Sequence, residues 1–325
     1  MGEGLLVFFF EKSISVYPIP AHSKQSIYTS EFSITYHYNN YGLRGKDIDC
    51  SSTYDIALIG DSFFTGFGVN LENTLLGFLD NKGHKVVNIS ENATNPPQYF
   101  EKLNILHQKG LKAKNYVVGL YLGNDFQNIS KRGIEPLFHY QFTKKHLDYD
   151  VTSFFRLERL IYLVKAFYYK SINNQLFVHE FQRKKTFRED YYEWYTNSNR
   201  RAIEHLLPKK YQSIEEEAFF KLAQINENST KKIIRILQAM KQTVPATSQF
   251  YVLLIADKHF AYQEYGEKYQ QFVKGLIEEL EQSNIVVWDS HPITSSDMFF
   301  KLDGHWNEKG HDKIGQFINN QIEMK

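Results

Sequence analysis

The chain has 325 residues, with 38 Lys plus Arg against 37 Asp plus Glu, a formal net charge of +1, and no dominant basic stripe. That balance argues against nucleic-acid binding, and the length gives ample core material for one large or two ordinary domains. The lone cysteine, Cys50, excludes an internal disulfide framework and a cysteine-rich zinc site, and reads as structural.

The 26 Phe and 22 Tyr offer platforms for sugars or acyl chains wherever they line a cleft, although most will serve as core or surface. At the start, the apolar run at 5–10 is too short to span a bilayer, and no basic flank of a signal peptide accompanies it. As written, the sequence is expected to be cytoplasmic by default, and extracytoplasmic if the N-terminus is truncated. Residues 12–50 suggest an arm over the main domain, with a short strand at 32–36 and a turn at 39–45. Within that arm Arg44 is expected to form a surface salt bridge, contact with an anionic group being the alternative.

The core begins near Tyr54. Ile56-Ala57-Leu58-Ile59 runs directly into Gly60-Asp61-Ser62, a buried strand closed by turn chemistry, and apolar spacing over 71–79 predicts a helix. A hydroxyl at the C-terminal end of a parallel strand sits where open α/β sheets bind ligands. Ser62 is equally a favoured helix cap. A second strand is expected at 85–89, then a polar loop stopped by Pro96 and Pro97, a helix over 98–110, and a third buried strand at 116–122 ending in Gly123-Asn124-Asp125.

The alternation stops between 131 and 247. Spacing predicts an amphipathic helix at 154–170, and Ser213 with Glu216 forms a capping box opening a long helix toward Met240. The basic run containing Arg183, Lys184, Lys185, Arg188, Arg200 and Arg201 is interleaved with acids and reads as a solvated face. Strands return at 250–255 and 285–288, with a helix at 265–283 between them and a closing helix from about 312. The expected fold class is α/β: a three-layer α/β/α sandwich with a five-stranded parallel sheet of flavodoxin-like type, plus a helical insertion. The expected organisation is an N-terminal arm at 1–50, core at 51–130, insertion at 131–247 and the rest of the core at 248–325.

Gly60-Asp61-Ser62, the loop 88–93, Gly123-Asn124-Asp125 and Asp303-Gly304-His305 each follow a core strand or open the last helix. A parallel sheet gathers its strand C-termini on one edge, so these loops can converge. A hydroxyl, an imidazole, a carboxylate and an amide together suit nucleophilic acyl transfer, in which imidazole takes the serine proton and carboxylate fixes the imidazole tautomer.

These four segments resemble the blocks of the SGNH (GDSL-type) hydrolases, over about 54–130 and 250–320. The resemblance implies Ser62 as nucleophile, His305 as base, and an oxyanion hole made by the N–H of Ser62, the N–H at Ala93 and the side-chain amide of Asn124. His311 would be a structural or helix-capping histidine. Two positions depart from the family pattern. Ala93 stands where the family has glycine, an exchange tolerable for a main-chain N–H donor unless a positive φ is required. Leu302 stands three residues before His305, where the family usually has Asp; Asp303, two before, is the expected acid, as in the branch resembling polysaccharide O-acetyltransferases, with Asp289 as the weaker substitute.

The resulting expectation is a serine esterase acting on acyl, above all acetyl, esters of small molecules or glycans, with no cofactor and no metal. An O-acyltransferase acting on a carbohydrate with the same triad and an inactive binding module of the same fold are the alternatives. No Gly-x-Ser-x-Gly elbow, phosphate loop or dinucleotide fingerprint is present to favour another chemistry.

Overall fold

Two antiparallel strands, β1 (Lys24–Tyr28) and β2 (Ser33–His37), form an N-terminal ladder. Five further strands build a separate, wholly parallel sheet: β3 (Thr53–Ile59), β4 (Val86–Asn88), β5 (Lys112–Tyr121), β6 (Gln249–Ile255) and β7 (Val286–Asp289). The computed structural model describes residues 19, 21–28, 31–126, 220, 223, 225–263, 265–300 and 303–324. Strand order is β4-β3-β5-β6-β7, with the first core strand inside the sheet and the chain reversing direction across it. This is the flavodoxin-like doubly wound order, in which ligands gather at the carboxyl edge beside the first strand.

Helices lie on both faces. In chain order they are α1 (Ser62–Thr65), α2 (Leu75–Asn81), α3 (Pro96–Gln108), α4 (Glu227–Thr243), α5 (Lys258–Ala261), α6 (Glu267–Gln282) and α7 (Glu308–Glu323). The two-residue period of a strand explains the continuous apolar runs. Ile56 and Leu58 of β3 join Leu75, Leu79, Ile314 and Ile318 beneath α2 and α7. Their neighbours Ala57 and Ile59 join Leu103, Leu106, Ile233, Leu237 and Leu276 beneath α3, α4 and α6. The expected three-layer sandwich and five-stranded parallel sheet are therefore present.

Element ends differ from the sequence reading for local reasons. The closing helix starts at Glu308, ahead of 312, because Asn307 Oδ1 accepts the Gly310 N–H and buried Trp306 anchors the residue before it. The helix reaching Met240 starts at Glu227: Asn226 caps it by accepting the Ser229 N–H at 2.9 Å. That helix, although inside the 131–247 span, is the crossover between β5 and β6, and Ile233, Ile236, Leu237 and Met240 belong to the shared core. The helix expected at 154–170, the Ser213 capping box and the basic run at 183–201 lie outside the described residues. No helix among the described residues is long and apolar enough to cross a membrane.

One glycine decides how the first turn after β3 sits on the sheet. A Cβ at Gly119, in mid-β5, would come within 2.7 Å of the Phe64 ring. Its absence lets fully buried Phe64 lie against the strand and seats α1 directly on the sheet.

His311 links α7 to α2. Its buried Nδ1 accepts the Leu75 N–H at 3.3 Å, one of the donors a helix start leaves without an intrahelical partner. Burial, and then the nearby Arg44 and His305, push this imidazole down to about 3. The unfolded chain takes up that proton near pH ~6.5. Between those values the unfolded state binds a proton that the folded state does not, so stability falls as pH drops through this window. The contribution has a slope of up to about 1.4 kcal/mol per pH unit. His311→Asn keeps an acceptor but cannot take the proton, so urea unfolding between pH 7 and 4 should lose this part of the acid slope; an unchanged slope would mean that the folded protein protonates His311.

Candidate active site

The carboxyl edge of the sheet assembles the site from separate loops. β3 delivers Gly60-Asp61-Ser62, and the N-cap of α1 is Asp61, whose Oδ1 accepts the Phe63 N–H at 3.0 Å. The Ser62 hydroxyl is thus not used as a cap. The turn closes at Gly66, in the left-handed region with φ 79°, where the N–H groups of Gly66 and Phe67 both reach the Ser62 carbonyl. Such a conformation costs a glycine nothing.

Arg44 holds that turn from outside. In place of the expected surface salt bridge, it is 2 % exposed, stacks 3.9 Å over the Tyr36 ring, and donates to the carbonyls of Thr65, Gly66 and Val69. The turn after α1 leaves carbonyls pointing inward, and a guanidinium fork can satisfy several at once.

His305 arrives from the loop preceding α7. Phe299 and Trp306 form an isolated antiparallel bridge, and the Phe300 N–H donates to the His305 carbonyl at 3.1 Å, turning the segment back on itself. His305 Nε2 lies 2.7 Å from Ser62 Oγ, and His305 Nδ1 lies 2.5 Å from Asp303 Oδ1. The same Asp303 oxygen accepts the His305 backbone N–H at 2.8 Å. Burial alone would raise the Asp303 carboxyl, but the hydrogen bonds and proximity of His305, together with Lys258, hold it below the usual carboxylate range. Asp303 is therefore a carboxylate at neutral pH. With Nδ1–H donating to Asp303, Nε2 is free to accept the Ser62 O–H. Phe63 and Phe67 flank the imidazole, with ring centroids 5.1 and 4.7 Å away.

Asp289 does not join this group. It makes the same kind of Asp-x-His turn with its own partner, His291, at 2.5 Å, and His291 Nε2 meets the Tyr269 hydroxyl at 2.9 Å.

The other two loops flank Gly60-Asp61-Ser62. The Glu91 N–H and the Thr94 hydroxyl both reach the Gly60 carbonyl, at 3.2 and 3.5 Å, which ties the 90–94 loop to the start of the Ser62 turn. Within that loop Ala93 is left-handed, with φ 58°. The positive φ that favours glycine is therefore present, and alanine adopts it at a cost of about 1–2 kcal/mol. The N–H groups of Ser62 and Ala93 have no hydrogen-bond partner among the described residues. After β5, the Asn124 amide lies beside the Asp61 carboxyl, and its Oδ1 is buried without a hydrogen bond.

Beneath the loops lies a set of buried ionisable side chains that the motif reading passed over. Burial pushes Asp61 up to about 6, against the opposing pull of the Phe63 N–H and of nearby His305. Asp125 is raised well above the usual range, by burial and then by Asp61; it accepts the Tyr99 hydroxyl at 2.8 Å and the Tyr121 N–H at 2.7 Å. Lys102, 1 % exposed, faces Glu91, 3 % exposed, at 3.5 Å, and donates to Thr94 Oγ1 at 3.3 Å. One signal in the sequence pointed to it: Lys102 falls on the same helical face as Tyr99, Leu103 and Leu106, where an unpaired charge is not tolerated. Among the described residues no group of three His, Cys, Asp or Glu side chains is arranged to hold a metal ion.

Removing one member of a buried pair leaves the other charge uncompensated, which typically costs about 3–5 kcal/mol. Lys102→Met should destabilise the fold by about that much in urea unfolding, and adding Glu91→Gln should recover most of the loss. Additive losses in the double variant would show that the two charges do not depend on each other.

No protein-family model and no curated protein matches the chain. Among solved structures it is similar to the lipase Lip_vut3 from a goat rumen metagenome, at 11% identity and a TM-score of 0.41, over 82% of this chain and 96% of that one. A second solved structure aligns at 8% identity and the same TM-score of 0.41, covering 84% of this chain and 98% of the other. Likeness this remote does not bear on the chemistry of the site.

Proposed function

We propose that the chain is a serine esterase of the SGNH type that hydrolyses acyl, above all acetyl, esters through Ser62, His305 and Asp303. The observation that carries this reading is the continuous contact of Asp303 Oδ1, the His305 ring and Ser62 Oγ, at 2.5 and 2.7 Å. A hydroxyl used only to cap a helix has no need of an imidazole oriented by a carboxylate. A chain keeping the fold as an inert binding module has no need of the spacing at which proton transfer occurs.

In this reading Ser62 Oγ attacks the ester carbonyl while His305 Nε2 takes its proton. Asp303 holds the imidazole tautomer and stabilises the imidazolium that forms. The carbonyl oxygen becomes an oxyanion, received by the N–H groups of Ser62 and Ala93 and by the amide of Asn124. The two unpartnered N–H groups support this assignment, since a preorganised donor has to be free before the charge develops. Collapse expels the alcohol, which leaves with the proton from His305. Water then gives its proton to His305 and attacks the acyl group on Ser62, and the carboxylic acid departs with Ser62 regenerated.

Ser62→Ala should abolish turnover of p-nitrophenyl acetate and labelling by a fluorophosphonate probe while leaving the circular dichroism spectrum unchanged. Turnover surviving in that variant, or folded wild-type protein that neither labels nor hydrolyses, would overturn the reading. Asn124→Ala should lower kcat by about 10²–10³ with KM little changed, because its amide is used in the transition state and not in the ground state. A change confined to KM in steady-state kinetics would remove Asn124 from the oxyanion hole.

A further inference from the structure

We propose that Glu31, from the N-terminal segment, and Lys258, from the start of α5, are positioning residues that clamp the Asp303 backbone at its N–H and its C=O and so fix the acid–base pair; this rests on the esterase reading. Asp303 lies in a loop with little to hold it. Gly304, its neighbour, has open space where a side chain would be, and nothing pairs the 303–304 backbone as a strand. Two charged side chains supply the missing restraint. Glu31 Oε2 accepts the Asp303 N–H at 2.7 Å, across 272 positions of sequence. Lys258, 3 % exposed, donates from Nζ to the Asp303 carbonyl at 3.2 Å and to the Phe300 carbonyl at 2.6 Å.

Each charge matches the polarity of the backbone group it meets: carboxylate to N–H, ammonium to C=O. Charge-assisted hydrogen bonds of this kind are shorter and stronger than neutral ones. Lys258 is directed by its own turn, since Asp257 caps α5 by accepting the Phe260 N–H at 2.9 Å. Glu31 is directed by the residue after it. Phe32 packs on Phe300 and Phe67, with ring centroids at 5.0 and 5.5 Å, so the segment before β2 is pressed against both the acid loop and the nucleophile turn. Neither residue touches Ser62 or the reacting atoms. Their effect passes through Asp303 to the orientation of the His305 ring.

The test compares Glu31→Ala, Glu31→Gln and Lys258→Met in the full chain, with p-nitrophenyl acetate as substrate. A misplacement of about 1 Å in a reacting group can cost about 100-fold, so Glu31→Ala and Lys258→Met should each lower kcat by roughly 10- to 100-fold with KM nearly unchanged. Glu31→Gln keeps an oxygen that can accept the Asp303 N–H, and should restore most of the lost kcat. A purely structural role would move the melting temperature without this pattern of rescue. The low-field proton NMR signal of the His305 Nδ1–H needs no substrate, and should weaken in Glu31→Ala and return in Glu31→Gln. Wild-type kcat and signal in Glu31→Ala, or in Lys258→Met should Glu31→Ala fail to fold, would overturn the clamp, as would a loss that Glu31→Gln does not repair. Wild-type protein that shows the signal and its response to these variants but hydrolyses no ester would overturn the esterase reading and leave the clamp standing.

Discussion

The contact between His305 Nε2 and Ser62 Oγ joins two residues 243 positions apart, and the architecture around it serves to hold that one distance. A hydrogen bond between an imidazole and a hydroxyl is worth only about 1 kcal/mol net in a folded protein. It cannot gather the loops that make it. The sheet does so: β3 sits between β4 and β5, and the parallel direction of all five strands sends their ends to one edge. Burial on both faces fixes the register, because a shift of one residue would exchange Ile56 and Leu58 with Ala57 and Ile59 between two differently shaped cores.

The floor of the site is polar where the rest of the interior is apolar. Asp61, Asp125, Glu91 and Lys102 are all buried there: Asp61 caps its own turn, Asp125 accepts the Tyr121 N–H and the Tyr99 hydroxyl, and Lys102 meets Glu91 and Thr94. Burying ionisable groups is costly, and an apolar floor would often be as stable or more so. What these groups provide is direction. Asp61 fixes the turn at Ser62, Asp125 ties the segment carrying Asn124 to Tyr99 of α3, and Lys102 with Glu91 fixes the loop carrying Ala93. The left-handed Ala93 fits the same account, since local strain persists only where the surrounding structure over-determines it.

The N-terminal segment is part of this construction. Tyr36 and Arg44 close the turn after Ser62, Phe32 covers Phe67 and Phe300, and Glu31 meets Asp303. It touches the turn after Ser62 at one end and Asp303 at the other, and bridges the two halves of the core that the long 131–247 span separates in sequence.

The sequence by itself determined the α/β class, the positions of the five strands and the four loops at their ends. Those features are local: buried parallel strands write continuous apolar runs, and Gly, Asn, Asp and Ser mark the turns that follow. Ser62, Asn124, Asp303 and His305 stood out because polar residues in short blocks follow buried strands or open the last helix, in an order that resembles one hydrolase family. The preference for Asp303 over Asp289 rested on resemblance; tertiary structure supplied the physical distinction, since Asp289-x-His291 and Asp303-x-His305 are the same local pattern and only His305 lies against Ser62. Tertiary structure also decided the fate of Arg44, Glu31, Lys102 and Lys258. A charged side chain in a sequence resembles any surface charge, and what it neutralises or satisfies depends on backbone groups brought near it from distant positions by the fold.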